Sequence, residues 1–96
     1  MRMRITVKAL IFKDGKVLLV KHVHPKKGFE WWAFPGGGMK GKETILETVE
    51  REVWEETGLM VRAGEVRFLR QYIDEEDGAN NLELFVTSSI IKGKET

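Results

Sequence analysis

Three glutamates that lie close together in the chain, Glu52, Glu55 and Glu56, have side chains that could do chemistry as a group. Carboxylates crowded on one short segment repel one another unless a cation lies among them. Their oxygen atoms are the ligands that hard divalent ions such as Mg²⁺ prefer. Arg51 comes directly before them and adds a positive charge. The cluster therefore predicts a divalent-metal site, and the alternative is a solvated helix face, which is what most runs of glutamate form.

A run of glycines, Gly36, Gly37 and Gly38, precedes the glutamates and adds a second signal. Glycine lets a phosphate come close to backbone N–H groups, above all where a loop leads into a helix. The run is also consistent with a tight turn, and the two interpretations are compatible. A phosphate-binding backbone followed by a metal site is the equipment for phosphoryl chemistry. The metal neutralises phosphate oxygens and lowers the pKa of an attacking water.

The glutamates are predicted to lie on a helix over residues 45–57. Thr44 is the expected N-cap, because Glu47 three positions later completes a capping box. Gly58 is the expected left-handed residue that ends the helix.

The apolar side chains of this helix share one face and consist of Ile45, Leu46, Val49 and Val53. The three glutamates occupy an arc of about a hundred degrees at the margin of that face. We therefore expect Glu52 and Glu56 to be partly buried, and Trp54 to point the opposite way.

Apolar runs predict strands around the helix. The first strand spans residues 4–12, and Asp14-Gly15 forms a hairpin turn into a second strand over 17–20. Pro35 favours an extended conformation in the aromatic strand before it, 31–34. The remaining segments are predicted as a polar loop at 22–30, a flexible glycine loop at 36–41, an extended segment at 60–73 with a turn near Ala63-Gly64, an acidic turn at 74–81, a last strand at 82–91 and a polar tail at 93–96.

Length and composition indicate an ordinary globular protein, and 96 residues allow a single domain over 1–96. The 16 basic and 15 acidic residues leave a net charge of +1, which gives no reason to expect a nucleic-acid or membrane partner. The absence of cysteine excludes disulfides and fits a reducing compartment. Lys8, Lys13 and Asp14 interrupt the N-terminal apolar run, so no signal peptide or membrane span is expected. The sequence predicts a cytoplasmic protein.

The candidate residues also follow a fixed spacing along the chain. Those that match every fixed position of the Nudix box are, in order, Gly37, Glu43, Arg51, Glu52, Glu55, Glu56, Gly58 and Leu59. The segment from Trp32 to Gly37 looks like the usual lead-in to this box. The chain therefore resembles the Nudix hydrolase family, in particular its MutT-like members.

The resemblance implies an α+β fold, specifically an α/β/α sandwich on a mixed sheet, and an enzyme that uses Mg²⁺ or Mn²⁺. The implied reaction is hydrolysis of a pyrophosphate bond in a nucleoside diphosphate linked to another moiety. The substrate would be a nucleotide, a nucleotide sugar, ADP-ribose or a dinucleoside polyphosphate. A second hypothesis is a Nudix-fold module without catalytic activity, which would bind nucleotides or have a regulatory role. A third is a structural oligomer of a once-catalytic fold.

The resemblance also implies roles for individual residues. The metal ligands would be Glu52, Glu55, Glu56 and the carbonyl of Gly37. Arg51 would hold the carboxylates in place by ion pairs, and Glu43 would support the loop or a second metal. The general base is left open between Glu52 or Glu56 in the box and an acidic residue of the later loop 74–77.

Two departures from the family pattern stand out. Lys42 precedes Glu43 where the family commonly has glycine, and Gly41 is available to form the turn instead. Family members also commonly continue into a further strand and a C-terminal helix, and we expect this sequence, which ends soon after the strand at 82–91, to be without that helix. The chain is a fragment, a reduced member, or a protein that covers an open sheet face by self-association. We expect a homodimer.

Substrate contacts are expected from the glycines and from aromatic side chains, namely Gly36, Gly37, Gly38, Trp32 and Tyr72. Trp31 and Trp32 alternate along a strand, so one of them points outward and the other serves the core. Phe29 is a weaker stacking candidate. His22 and His24 are either phosphate or metal contacts or incidental. The basic residues that either steer an anionic substrate or are merely solvated are Arg4, Lys21, Lys26, Lys27, Arg67 and Arg70.

Overall fold

The computed structural model describes residues 1–92, and over this range the chain forms one α-helix and seven β-strands. The elements are β1 Arg2–Lys13, β2 Lys16–Val17, β3 Val20–Val23, β4 Glu30–Ala33, β5 Gly36–Gly38, α1 Ile45–Thr57, β6 Met60–Asp74 and β7 Ala79–Lys92. The predicted α+β class is confirmed. The predicted polar tail lies outside the described residues. Within those residues, no helix has the length and apolar character needed to cross a membrane.

The main sheet is mixed and is built around β1 and β7. These two strands run parallel, with Arg2 opposite Ala79 and Ile11 opposite Ser88. β6 pairs antiparallel with the far side of β7, and the other edge of β1 is shared by β5 and β2. A parallel pair needs a long crossover connection, and α1 lies within it. β3 and β4 form a separate two-stranded hairpin.

The core lies between α1 and one face of this sheet. Val7 and Ala9 of β1 are fully buried, as are Val49 and Val53 of α1. Alternate strand residues reach one sheet face and residues four apart share one helix face, so the two periodicities meet in a single apolar layer. The other members of this cluster are Ile11, Leu59, Val61, Ala63 and Val86.

Both predicted ends of α1 are confirmed. The hydroxyl of Thr44 accepts a hydrogen bond from the backbone N–H of Glu47 at 3.1 Å, and the Glu47 carboxylate accepts one from the Thr44 N–H at 2.9 Å. Gly58 follows the last turn with φ of 76°. A left-handed residue at this place caps the final carbonyls, and glycine adopts it without a steric penalty.

The prediction of a flexible glycine loop is wrong at its first three residues. Gly36–Gly38 is strand β5, with Gly36 opposite Lys8 and Gly38 opposite Thr6. A Cβ on Gly36 would lie 2.0 Å from the carbonyl oxygen of Val7. Glycine therefore serves here to let one backbone lie against another, rather than to make the segment mobile.

The predicted second strand over 17–20 is also wrong, because it is divided between two sheets. β2 ends at Val17, which pairs with Phe12, while Val20 begins β3 and pairs with Ala33 of β4. β5 already occupies the edge of β1 at Thr6–Lys8. The returning chain can therefore pair with β1 only beside the turn. The predicted polar loop at 22–30 consequently loses residues to strands at both ends.

The turn predicted near Ala63-Gly64 is a distortion within one continuous strand, β6. The register against β7 shifts between Ala63 and Val66, which marks a β-bulge. The Thr87 hydroxyl accepts from the Glu65 N–H at 3.2 Å beside this bulge. The acidic turn predicted at 74–81 is shorter than expected, because β7 already begins at Ala79.

Replacing Gly36 by alanine should destabilise the fold by roughly 3 kcal/mol, because the added methyl meets a strand backbone that has no flexible atoms to yield. Gly38→Ala is the matched control. A Cβ at Gly38 meets nothing within 4 Å, so its stability should stay within about 0.5 kcal/mol of the parent. Urea unfolding followed by circular dichroism measures both. Equal midpoints for the two variants would contradict the close approach of β5 and β1.

Candidate active site

The guanidinium of Arg51 joins three acidic side chains and one backbone carbonyl. It donates to both carboxylate oxygens of Glu43, with Nε 2.5 Å from Oε2 and Nη2 3.0 Å from Oε1. Nη1 donates to Glu52 Oε1 at 2.8 Å and to Glu55 Oε1 at 2.5 Å, and Nη2 also donates to the carbonyl of Gly38 at 3.0 Å. Neighbouring turns of α1 place Glu55 within reach. Arg51 thus ties the helix to β5 and to the segment between them.

Glu43 fixes the segment that leads from β5 into α1. Its Oε1 accepts from the backbone N–H of Lys40 at 2.9 Å and from the hydroxyl of Thr48 at 3.2 Å. The Arg51 hydrogen bonds are the largest influence on this carboxyl, followed by the Lys40 N–H, and together they lower the pKa of Glu43 to about 2. Hydrogen bonds to Glu43, and then to Glu55 and Glu52, raise the pKa of Arg51 above its ordinary value. The pair is therefore charged throughout the physiological range.

Glu56 belongs to a different part of the site, next to the start of β5. Its Oε1 accepts a hydrogen bond from the backbone N–H of Gly36 at 2.7 Å. Desolvation by the surrounding chain is the main reason that the pKa of Glu56 is raised; the Gly36 N–H opposes it, and the charge of Glu52 adds to it. His22 and Lys8 lower it slightly. Two carboxylates thus repel each other at a place where a cation would relieve the repulsion.

The backbone of Gly37 lies against the carboxylate of Glu52. A Cβ on Gly37 would come within 2.6 Å of Glu52 Oε2, so only glycine leaves room for that carboxylate. The Glu52 side chain is 16% exposed, as the helical pattern predicted, whereas Glu56 is more exposed than predicted. The reason is that Glu56 faces an open cleft rather than the core.

The oxygen atoms at this place fit a hard divalent cation by their chemistry. Glu52, Glu56 and the carbonyl of Gly37 supply only oxygen ligands, which Mg²⁺ and Mn²⁺ prefer. In residues 1–92, however, no three acidic or imidazole side chains are grouped closely enough to hold an ion. Arg51 occupies one oxygen of Glu52 and one of Glu55. The oxygen atoms that could bind a cation are therefore present, and Arg51 compensates part of the negative charge of Glu52 and Glu55.

A cleft of about 910 Å³ extends from Glu56 across the sheet face opposite α1, and Glu52 and Glu55 lie outside its lining. Gly36, Gly37 and Glu56 form one end of it. The β3–β4 hairpin forms a wall with His22, Trp31, Trp32 and Phe34. The floor consists of alternate residues of three strands, including Thr6, Lys8, Arg70, Tyr72, Asn81 and Glu83. The site therefore has room for a ligand larger than a diphosphate group.

Comparison with known proteins agrees with this geometry. The sequence profile of the NUDIX domain matches residues 2–89. The chain belongs to the Nudix family. The phosphatase NudJ of Escherichia coli K12 is 32% identical over 69 residues, which cover 72% of this chain and 44% of NudJ.

Solved structures of Nudix proteins share the fold. A NUDIX hydrolase from Nitrosomonas europaea has a TM-score of 0.87 at 25% identity, and the match covers 97% of this chain and 62% of that one. An ADP-ribose pyrophosphatase from Streptococcus suis has a TM-score of 0.71 at 26% identity, covering 97% of this chain and 64% of that one. The chain thus spans less than two thirds of the length of each of these relatives.

The structure brings together most of the predicted substrate contacts of this Nudix domain. Gly36, Gly37, Trp32 and Tyr72 line the cleft. Gly38 lies outside the cleft lining, and its carbonyl accepts from Arg51 instead. The expectation that one of the paired tryptophans serves the core is wrong, because Trp31 and Trp32 of the short hairpin strand β4 are both exposed and both line the cleft.

The two histidines differ in their surroundings. His22 lines the cleft and stacks on Trp31 with ring centres 5.4 Å apart, and its buried Nε2 has no hydrogen-bond partner within residues 1–92. His24 instead accepts from the backbone N–H groups of Lys26 and Lys27 through Nδ1, at 3.2 and 3.0 Å. His24 therefore shapes the hairpin turn, while His22 faces the site.

The acidic residues of the later loop lie apart from the glutamates of the Nudix box. Asp74 accepts from the Asp77 N–H at 3.1 Å, and Asp77 pairs with Arg2 at 2.9 Å. None of the residues 74–77 lines the cleft. The structure instead places Asn81 and Glu83 in the floor. Their alternation with apolar neighbours along β7 is the sequence signal that assigns them to the face opposite the core.

Replacing Glu43 by glutamine should lower stability at pH 7, and the loss should shrink as the pH falls from about 5 to about 2. A carboxyl whose pKa is lowered by folding stabilises the protein above its unfolded pKa, and this contribution disappears as the group becomes protonated. Urea midpoints across that range measure the effect. Glu47→Gln is the matched control, because glutamine preserves the capping box. A deficit of Glu43→Gln that does not change with pH would contradict the Arg51 pairing.

Proposed function

We propose that this Nudix domain hydrolyses a pyrophosphate bond in a nucleoside diphosphate linked to another moiety, with Mg²⁺ or Mn²⁺ as cofactor. The observation that carries the proposal is the meeting of two carboxylates, Glu52 and Glu56, with the glycine backbone of β5. Glu56 and this backbone also line one end of the cleft. Oxygen ligands for a cation lie there beside a glycine backbone, which has no side chains to keep a phosphate away. This is the combination that phosphoryl transfer to water requires.

The residues that would hold the cation are Glu52, Glu55, Glu56 and the carbonyl of Gly37. When bound, a divalent ion neutralises phosphate oxygens and lowers the pKa of a coordinated water. Glu55 is 45% exposed and is held by a single Arg51 hydrogen bond. Exchanging that bond for a cation costs little, because ion pairs at an exposed site contribute little to stability.

Glu56 is our candidate for the group that accepts the proton of the attacking water. Its raised pKa makes it a stronger base than an ordinary glutamate. The Gly36 N–H donates to Oε1 and thereby orients the carboxylate, and Oε2 would accept the proton. Glu52 is the alternative base, although Arg51 and Gly37 already contact its carboxylate. Lys8, opposite Gly36 in the sheet and on the cleft floor, is placed to compensate phosphate charge.

The substrate class rests on the size of the cleft and on one named relative. The cleft has room for a nucleoside as well as a diphosphate, and the similar protein from Streptococcus suis is named an ADP-ribose pyrophosphatase. The matched region covers 64% of that chain.

A second candidate function is nucleotide binding without turnover. Arg51 pairs with Glu52 and Glu55 in a way that satisfies part of their charge without a cation. Within the described part of the chain, no ready cage of three acidic or imidazole ligands exists. A binding module needs the cleft and the glycine backbone, and it needs no proton acceptor.

We also propose that the domain self-associates. Large apolar side chains are exposed on the sheet, among them Phe12 at 67%, Phe68 at 54% and Ile73 at 57%. Exposed apolar side chains of this size favour burial against a partner. Multi-angle light scattering at increasing protein concentration should show a dimer. A constant monomer mass at the highest concentration would argue against self-association.

Hydrolysis should be detected when the protein is incubated with Mg²⁺ or Mn²⁺ and ADP-ribose, nucleotide sugars, dinucleoside polyphosphates and nucleoside triphosphates. Glu56→Gln should lower the rate by roughly a hundredfold or more, because it removes the proton acceptor and a ligand. Glu47→Gln on the same helix is the control and should leave the rate unchanged, since it keeps the capping box. Phosphate or nucleotide release measures the rate. Nucleotide binding with no hydrolysis of any substrate would favour the binding module.

A further inference from the structure

A ring nitrogen in the wall of the cleft makes no hydrogen bond to the protein. Nε2 of His22 is buried, and within residues 1–92 it has no hydrogen-bond partner. His22 belongs to β3 and lines the cleft. Burying a polar nitrogen without a partner is unfavourable, so its presence in a native structure needs a reason. A ligand bound in the cleft would supply the partner that the protein does not.

The packing of the hairpin does not require an imidazole at this position. Four rings follow one another along β3 and β4, in the order His24, Phe29, Trp31 and His22, with centres 4.9, 5.5 and 5.4 Å apart. Trp31 and His22 line the cleft, whereas Phe29 and His24 do not, so the row ends inside the cleft. An apolar ring would stack on Trp31 there without burying a nitrogen. What the histidine adds is therefore its capacity to form a hydrogen bond.

The surroundings of His22 favour an anionic partner. Lys8 and Gly36 are paired across the sheet, and both line the cleft together with His22. Desolvation is the main influence on the pKa of Glu56 and raises it, whereas the charges of His22 and Lys8 lower it. The imidazole and the ammonium therefore lie within electrostatic reach of the carboxylate that accepts from the Gly36 N–H. This is the end of the cleft that the proposed function assigns to the diphosphate.

We propose that Nε2 of His22 donates a hydrogen bond to a phosphoryl oxygen of the substrate diphosphate. An imidazole carries an N–H donor in its charged form and in each neutral tautomer. A phosphoryl oxygen is a charged acceptor, and hydrogen bonds to such acceptors are shorter and stronger than those between neutral groups. Lys8 would attract the same anion as a point charge. The inference rests on the proposed function, because it names a residue that binds that substrate.

The first test follows the imidazole signals of the unaltered protein by nuclear magnetic resonance, since the chain has only two histidines. Methylenediphosphonate mimics a diphosphate, carries no sugar or base and is not hydrolysed. With Mg²⁺ present, its addition should move the Hε2 signal of His22 downfield, as expected for a new hydrogen bond to an anion, and leave His24 unchanged. A response of His22 to adenosine alone would assign Nε2 to the nucleoside and overturn the proposal. No response of His22 to either compound would overturn it as well.

The second test separates the nitrogen of His22 from its ring. His22→Phe keeps a ring that stacks on Trp31 and should weaken methylenediphosphonate binding about tenfold, because a hydrogen bond to a charged group is lost. His22→Gln places an amide donor near the position of Nε2 and should restore binding to within about threefold of the parent. Calorimetry measures both. Equal affinities of the two variants would show that the donor is not used and would refute the assignment.

His24→Asn is the matched control for these variants. Asparagine offers an acceptor at the place of Nδ1, which accepts from the backbone N–H groups of Lys26 and Lys27, and His24 lies outside the cleft lining. Binding of methylenediphosphonate should therefore stay within about twofold of the parent. A loss as large as that of His22→Phe would show that binding depends on the shape of the hairpin and not on Nε2.

The two proposals fail in different ways. A response of His22 to methylenediphosphonate without hydrolysis of any natural nucleotide supports the phosphate contact and contradicts the enzymatic function. If hydrolysis is found, His22→Phe should raise KM about tenfold and leave kcat within about twofold, since the contact is made equally in the bound substrate and the transition state. Hydrolysis with an unchanged KM in His22→Phe supports the enzymatic function and contradicts the assignment of His22.

Discussion

The guanidinium of Arg51 is where the negative charge of the site is balanced. Three glutamates contact it, and so does a carbonyl of β5. Without this cation, α1 would carry mutually repelling carboxylates beside its buried face, and only the Glu56 hydrogen bond to Gly36 would still join its polar side to β5. The arginine converts that repulsion into a link between helix, strand and connecting segment. The positions of the remaining site residues depend on this link.

The link works because the backbone leaves space for it. Gly36 and Gly37 allow β5 to approach β1 on one side and the Glu52 carboxylate on the other. A side chain at either position would push the strand away from the helix or from the sheet. The same closeness brings the Gly36 N–H to Glu56. Packing constraints and site chemistry are therefore satisfied by the same two residues.

The sequence predicts the helix and its glutamates better than the strands around them. Helix ends depend on local interactions, and Thr44 and Gly58 make those interactions with residues a few positions away. Strand partners depend on competition for an edge: β5 takes the edge of β1 that the apolar run at 17–20 was expected to use. The spacing of the family motif is enough to identify the residues of the Nudix box. The residues of the cleft floor can be assigned only when the register of β1, β7 and β6 is known. Glu83 enters the site through its pairing with Arg70 across strands, and no local pattern encodes that pairing.

The parallel pairing of β1 with β7 has a consequence for how the domain folds. Arg2 lies opposite Ala79, and the ladder continues to Ile11 and Ser88. During synthesis, β1 therefore cannot complete this pairing until β7 has been made. Pairings between segments this distant in sequence slow folding, because a long loop must close before they contribute. The helix and its carboxylates can form early, while the floor of the cleft is assembled last. A nascent chain therefore carries the charged box residues before the cleft exists.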